Sequence, residues 1–352
     1  MPINKKFKQP FVKHGRYYNY EGEPSHGFLY HTVRIWLRSL LYRKNHPTIA
    51  PHNWEVTSLH KPTSLQPRIT WIGHSTFLIQ IGGVNILTDP IFGNASPFFK
   101  RIVQPAIALD KLPRIDVILI SHNHWDHMHG PTLRKLLPEI PNAHVLVPEG
   151  DERWFSKHRL KGVYGSTWGQ KQYVYVEHFS PSISKNVATR LVFTFLPAHH
   201  WSQRGLFDRN KSLWGSWMIE CNGYTFYFAG DTAYTDHFKE IAQDFPTIDS
   251  AFLPIGPCEP HEWMKNTHMN AEQAGQAFLD LKAQHFIPMH WGTFNFGHDD
   301  FHHPLERIDA WWQNNTQALT NKTFHTLRIG QTIEFEDRLP LIQPISRILE
   351  YR

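Results

Sequence analysis

The chain is short of cysteine, with only Cys221 and Cys258 in 352 residues. That excludes a disulfide framework and a Cys-rich zinc module, and both thiols read as buried side chains. No stretch approaches the roughly 18 apolar residues of a membrane span. The first twenty residues, MPINKKFKQPFVKHGRYYNY, are polar and basic and carry no apolar signal core. Charged residues make up only 19% against 41% hydrophobic, which excludes a disordered chain and predicts a large core. Together these absences point to a soluble protein of a reducing, cytoplasmic setting, with peripheral contact at the inner membrane surface left open.

What is abundant is histidine, 25 residues, and tryptophan, 13. The formal net charge is +5 with His neutral, which favours anionic partners: phosphates, anionic lipid or nucleic acid. No Lys/Arg stripe with interleaved stacking aromatics tracks a strand platform, so nucleic acid is not expected. Aromatic side chains at this density suit the lining of a substrate groove.

The histidines concentrate their meaning in Val117–Gly130, VILISHNHWDHMHG. A short β-branched run reads as a buried strand, and the metal-capable His122, His124, Asp126, His127 and His129 follow in the loop at its end. While the chain stays extended, His122 and His124 point the same way. Asp126 and His127 cannot both join that face. A turn there lets them face a second metal beside the first.

Residues 1–66 read as an extension ahead of a main domain at 67–352. Its first 26 residues look loop-like. In Gly27–Lys44, Leu29, Val33, Trp36, Leu37 and Leu40 recur at helical spacing with Arg34 and Arg38 on another side. This predicts a basic amphipathic helix that lies on a membrane surface or packs on its own domain or a sister subunit, which leaves room for a homodimer. Residues 45–66 read as a linker.

From Arg68 strands follow one another: RITWIG, TFLIQIG, VNILTDPIF, VILI, HVLVPEG, YVEHFS, LVFTFLPAHHW, LWGSWMIE, YTFYFAGD, SAFLPIG, HFIPMHWGTF and LRIGQTIEF. Asn222-Gly223 between alternating runs signals a hairpin. Helices are expected at Pro131–Leu137, opened by proline, at 151–160, and in AEQAGQAFLDLKA, capped by Asn270. Strands with interspersed helices and no internal low-complexity linker predict one layered α/β (α+β) domain.

Candidate ligands sit at strand ends: the His122–His127 loop, the His199-His200 pair, Asp231 and His290. Two metals about 3.5–4 Å apart need ligands on both sides and a bridging carboxylate, and Asp231 is the natural bridge. One metal then takes His122, His124 and one of His199 and His200, which face opposite ways on a strand. The other takes Asp126, His127 and His290. Neutral imidazoles suit zinc and other divalent transition metals. His74 and Asp89, also at strand ends, read either as supports for ligands or as turn and cap residues.

HxHxDH followed by His, GD and His resembles the metallo-β-lactamase superfamily. TWIGHSTFLIQ, ILTDPIF, SHNHWDH, LPAHHW, LWGSW, FAGDTAY, PIGPCEP, THMNAEQA and MHWGTF, across about residues 68–295, are similar to the N-acylphosphatidylethanolamine-hydrolysing phospholipase D family. The resemblance implies a four-layer αβ/βα sandwich with two zinc ions at one sheet edge. It assigns His200 rather than His199 as ligand, beside His122, His124, Asp126, His127, Asp231 and His290. It also makes His268, with Asp126 and Asp231, part of the catalytic set, as a candidate general acid near the substrate phosphate. The implied activity is phospholipase D-type hydrolysis of N-acylphosphatidylethanolamine-like phospholipids by a metal-bridging hydroxide. Two rivals are a metal-dependent lactonase of the ascorbate-phosphate type, similar in the GHST and AFLPIG segments, and a non-catalytic metal- or nucleic-acid-binding scaffold. Position 199 and the stretch Glu259–Asn266 depart from the phospholipase pattern, and they bear on lipid specificity.

Overall fold

A computed structural model describes residues 7–20, 63–180 and 185–336. The amphipathic helix expected at 27–44 lies outside the described residues. The first described stretch corrects one expectation. Phe11–Lys13 (β1) and Arg16–Tyr18 (β2) pair antiparallel where a loop is expected, turning at His14-Gly15, both at positive φ.

Arg68–Gly73 (β3), Thr76–Ile81 (β4) and Val84–Thr88 (β5) form an antiparallel meander. Val117–Leu119 (β6), His144–Pro148 (β7) and Val163–Ser166 (β8) extend it in parallel. The second sheet runs through Lys171–Ser180 (β9), Lys185–Leu196 (β10), Ser216–Cys221 (β11), Tyr224–Phe228 (β12), Ser250–Pro254 (β13), His285–Met289 (β14) and Thr323–Phe324 (β15). Thr332–Glu334 (β16) returns to β3, so each sheet holds seven strands. The β11–β12 hairpin turns on Asn222 and Gly223 at φ 48° and 78°, the left-handed pair that a tight hairpin demands.

The strands of the first sheet are apolar on both faces because both faces are covered. Phe77, Ile79 and Ile81 of β4 face the second sheet, where Phe77 meets Phe252 edge-on at 4.9 Å. Leu78, Leu87, Ile118 and Val145 face outward, against Leu133 and Leu136 of Gly130–Leu136 (α1) and Phe155 of Glu152–Lys157 (α2). On the far side, Tyr227 packs on Phe238 of His237–Asp244 (α3). A single turn, His261–Met264 (α4), leads into Ala271–Leu281 (α5). Phe278 of α5 packs on Phe286, and His303–Asn314 (α6) brings Trp312 against the same ring. The result is the expected helix–sheet–sheet–helix sandwich.

Asn270 caps α5 as its sequence predicts, in a reciprocal capping box with Gln273. Helices α3 and α6 have no counterpart in the sequence reading. α3 is short, and α6, although it runs for 12 residues, fully buries only Pro304 and Ile308, so few of its positions mark a core face.

The LWGSW segment has a structural task at the sheet seam. Gly215 N–H donates to Ser121 O (3.0 Å) and the Trp217 indole donates to Ile120 O (2.8 Å), clamping the strand that leads into the histidine loop. A Cβ on Gly215 would lie 2.5 Å from the Leu196 carbonyl and 2.6 Å from the Phe195 ring. Gly215→Ala is therefore expected to destabilise the fold by about 1–3 kcal/mol through overpacking. Urea unfolding checks this, and an unchanged midpoint would contradict the close approach.

Candidate metal centre

The parallel strands β5, β6, β12, β13 and β14 all end at one edge of the sandwich, the place where layered α/β folds build their sites. The chain leaves β6 at Leu119 and turns at once. His127 N–H and Met128 N–H both donate to His124 O (3.2 and 2.9 Å), so His124–His127 is the turn expected there. It sends His122 and His124 to one side and Asp126 and His127 to the other.

Two groups result. In the first, His122 Nε2 lies 2.8 Å from His124 Nδ1, and His200 Nε2 lies 3.2 Å from that same Nδ1. Asp231 Oδ2 stands 3.8 Å from His122 Nε2 and 3.9 Å from His200 Nε2. In the second, His127 Nε2 lies 3.2 Å from both Asp126 Oδ2 and Asp231 Oδ2. His290 Nε2 lies 3.1 Å from Asp231 Oδ1 and 3.6 Å from Asp126 Oδ2. Asp231 thus faces both groups. Atoms bonded at about 2.0 Å to one tetrahedral ion stand roughly 3.3 Å apart, which matches these spacings.

The fit to cations rests on what these atoms lack. His127 Nε2, His290 Nε2 and Asp231 Oδ1 are buried and make no hydrogen bond despite their proximity. Buried polar atoms left so cost free energy unless something else satisfies them. The far side of most of these rings, by contrast, is held. His127 Nδ1 is 2.7 Å from Asp89 Oδ2, and His122 Nδ1 is 2.9 Å from Ser121 Oγ. His200 Nδ1 donates to Thr267 O and His290 Nδ1 to Gly256 O, each at 2.8 Å. A donor fixed on one ring nitrogen leaves the lone pair of the other aimed inward, as a metal ligand requires.

Electrostatics agree. Burial, with the neighbouring imidazoles, holds His122 well below its usual range and pushes His124 and His200 down to about 3, leaving them neutral. Burial also disfavours the charged forms of His127 and His290, yet Asp231 and Asp126 outweigh it. His127 rises well above its ordinary value and His290 to about 9. These carboxylates lie well below theirs, since His127 overrides burial. Ionised carboxylates thus face the place where a cation would sit, and protons on His127 and His290 compete with it.

The other residues singled out from the sequence divide. His268 lies beside the centre, its Nδ1 3.8 Å from Asp231 Oδ2 and its side chain 16% exposed. His199 joins no metal-capable group among the described residues, whereas His200 does. His129 is drawn off as the cap of α1, accepting from Thr132 N–H. Asp89, fully buried, receives Ser121 N–H and Oγ–H as well as His127. His74 Nε2 lies 2.9 Å from Asp126 Oδ2. Sequence reasoning missed Arg204, whose guanidinium donates to Asn123 O and Met128 O at either end of the turn. It also missed Asn19, which bonds to the His200 backbone.

A profile described as the Beta-lactamase superfamily domain matches residues 84–291. The chain belongs to the metallo-β-lactamase superfamily. It is 31% identical over 304 residues to the N-acyl-phosphatidylethanolamine-hydrolyzing phospholipase D 1 of Caenorhabditis elegans, covering 83% of this chain and 82% of that one. It is also 31% identical over 268 residues to the mitochondrial N-acyl-phosphatidylethanolamine-hydrolyzing phospholipase D of Saccharomyces cerevisiae, covering 71% of this chain and 54% of that one. Among solved structures it resembles Igni18, a metallo hydrolase of Ignicoccus hospitalis, with TM-score 0.55 and 22% identity. That likeness covers 78% of this chain and all of the other. This superfamily member is a metal-dependent hydrolase whose His/Asp groups suggest a dinuclear metal site.

Two predictions follow from the geometry. Asp89→Asn removes the charge behind His127 and is expected to weaken binding of one metal ion about 10- to 100-fold. Chelator competition measures it, and an unchanged affinity would contradict the support role. Protons and cations compete for the lone pairs of His127 and His290, so metal affinity should rise as pH climbs from neutrality through about 9, where His290 loses its proton. A flat profile in the same assay would refute this.

Proposed function

We propose that this superfamily member is a zinc-dependent phosphodiesterase of phospholipase D type, acting on N-acylphosphatidylethanolamine-like phospholipids. The observation that carries the reading is Asp231 facing His122 and His200 on one side and His127 and His290 on the other, with the partly exposed His268 beside it. The phospholipase D relatives at 31% identity support the same reaction class.

His122, His124 and His200 would hold one ion, Asp126, His127 and His290 the other, and Asp231 both. Ions bound there supply Lewis acidity toward a phosphoryl oxygen and an acidified water at neutral pH. The chain contributes the surroundings. Phe294 and Phe296 stand 5.1 and 5.7 Å from the His74 ring, and Trp201 lies 4.2 Å from His124, so aromatic walls exclude bulk water and strengthen charge interactions within. Burial pushes His268 down to about 3. A phosphodiester anion bound beside it favours its protonated form, which then donates to the leaving alkoxide oxygen. Trp125, Leu206 and Phe207 stand exposed on the loops that carry His124 and follow His200, and Phe98 on the loop beside Phe296. They offer acyl chains an apolar rim.

The test is a substrate panel on metal-loaded protein, before and after chelation: bis(p-nitrophenyl) phosphate, N-acylphosphatidylethanolamine vesicles and a lactone. Phosphodiester turnover that disappears with chelator and in Asp231→Asn, with the fold retained by circular dichroism, is the expected result. Lactone turnover without phosphodiester turnover would replace this reading with a lactonase. Wild-type activity in Asp231→Asn would sink the bridging role.

A further inference from the structure

His200 stands beyond the end of β10, where no strand neighbour pairs its backbone. Its main chain is nonetheless satisfied in both directions by one side chain. Asn19 Nδ2 donates to His200 O (2.9 Å), and Asn19 Oδ1 accepts from His200 N–H (3.2 Å). The same Oδ1 accepts from the Trp214 indole (3.1 Å). Asn19 is 7% exposed, so the His200 N–H and carbonyl would be stranded without it, whereas the Trp214 indole also donates to Ala198 O (3.0 Å).

The segment that carries Asn19 is itself anchored. Phe7 is buried in the main core, Gln9 Nε2 donates to Trp168 O (2.9 Å), and Tyr20 packs edge-on against Trp168 at 5.2 Å. Tyr17 N–H donates to Asn210 O (2.8 Å), and Asn210 N–H donates to Ser202 O (2.7 Å). The hairpin β1–β2 therefore grips the 200–210 loop at both ends, at His200 through Asn19 and at Asn210 through Tyr17. Residue 19 lies well ahead of the family-matched segment, which begins at residue 84.

We propose that Asn19 is a positioning residue of the metal centre: residues 7–20 strap the main chain of His200 so that its Nε2 meets His124 and Asp231. The Thr267 carbonyl sets the orientation of the ring, and Asn19 sets the point from which the ring projects. An amide is the chemistry the slot needs, since one group must donate to a carbonyl and accept from two N–H donors at once. The proposal rests on the metal-centre reading but not on the substrate.

The test uses full-length wild type, Asn19→Ala and Trp214→Phe, stripped of metal and titrated with Co2+ against a chromophoric chelator while the visible spectrum is recorded. Wild type is expected to take two ions. Asn19→Ala should bind one ion as wild type does and the other about 10- to 100-fold more weakly, with a changed cobalt spectrum for that ion only. Trp214→Phe removes the indole donor to Asn19 Oδ1 and to Ala198 O but leaves both Asn19–His200 bonds, so it should lower the melting temperature without separating the two affinities. Where the alanine variant does not fold, Asn19→Ser repeats the comparison. Wild-type affinities in the Asn19 variant, parallel loss of both ions, or the same separation in Trp214→Phe would each overturn the strap. Wild type that takes up no ion overturns the metal-centre reading and the strap with it.

Discussion

The structure is organised around a buried carboxylate that His127 and His290 hold in its charged form. Asp231 is buried at the end of β12 and faces His122, His127, His200 and His290 at 3.1–3.9 Å. A carboxylate held away from water costs several kcal/mol unless it is paired and hydrogen-bonded. Here its Oδ1 makes no hydrogen bond. The fold keeps this arrangement at the edge where strand ends from both sheets converge.

Keeping it requires rigidity, and the surroundings show where that comes from. His74, Asp89 and His290 all have positive φ (55°, 31° and 62°), a conformation that costs a non-glycine residue about 1–3 kcal/mol. Each is locked by neighbours. His74 N–H donates to Thr293 Oγ1 (2.6 Å), the Trp71 indole donates to His74 O (2.9 Å), and His290 N–H donates to His74 O (3.3 Å). Strained backbone, buried charge and unsatisfied nitrogen thus coincide, and the packed sheets on either side carry their combined cost.

What was legible in the sequence follows from how locally it is encoded. The apolar runs that became β3–β7 and the Asn222-Gly223 turn express short-range rules, so their positions match within a residue or two. His122, His124, Asp126 and His127 were readable as one loop because they are adjacent in the chain. His200, Asp231 and His290 were readable because each ends a strand pattern. Alternation did not choose between His199 and His200, since it says only that one of them faces the centre; the family resemblance chose His200. Asn19 and Arg204 were invisible for a different reason. Each acts on a backbone far away in sequence, and an Asn or Arg in a polar stretch carries no periodic signal.

The supports also show that the two halves of the centre are built differently. His127 leans on a carboxylate, Asp89, which is anchored by two bonds from Ser121 within the same sheet. His200 leans on the Thr267 carbonyl and on an amide from the distant N-terminal hairpin. A carboxylate behind an imidazole raises its basicity as a ligand more than a neutral carbonyl does. The half containing His127 therefore combines a more basic imidazole with a more local support. The half containing His200 depends on chain segments that meet only when the whole protein is folded, so its order reports on the integrity of the N-terminal strap as well as on the sandwich.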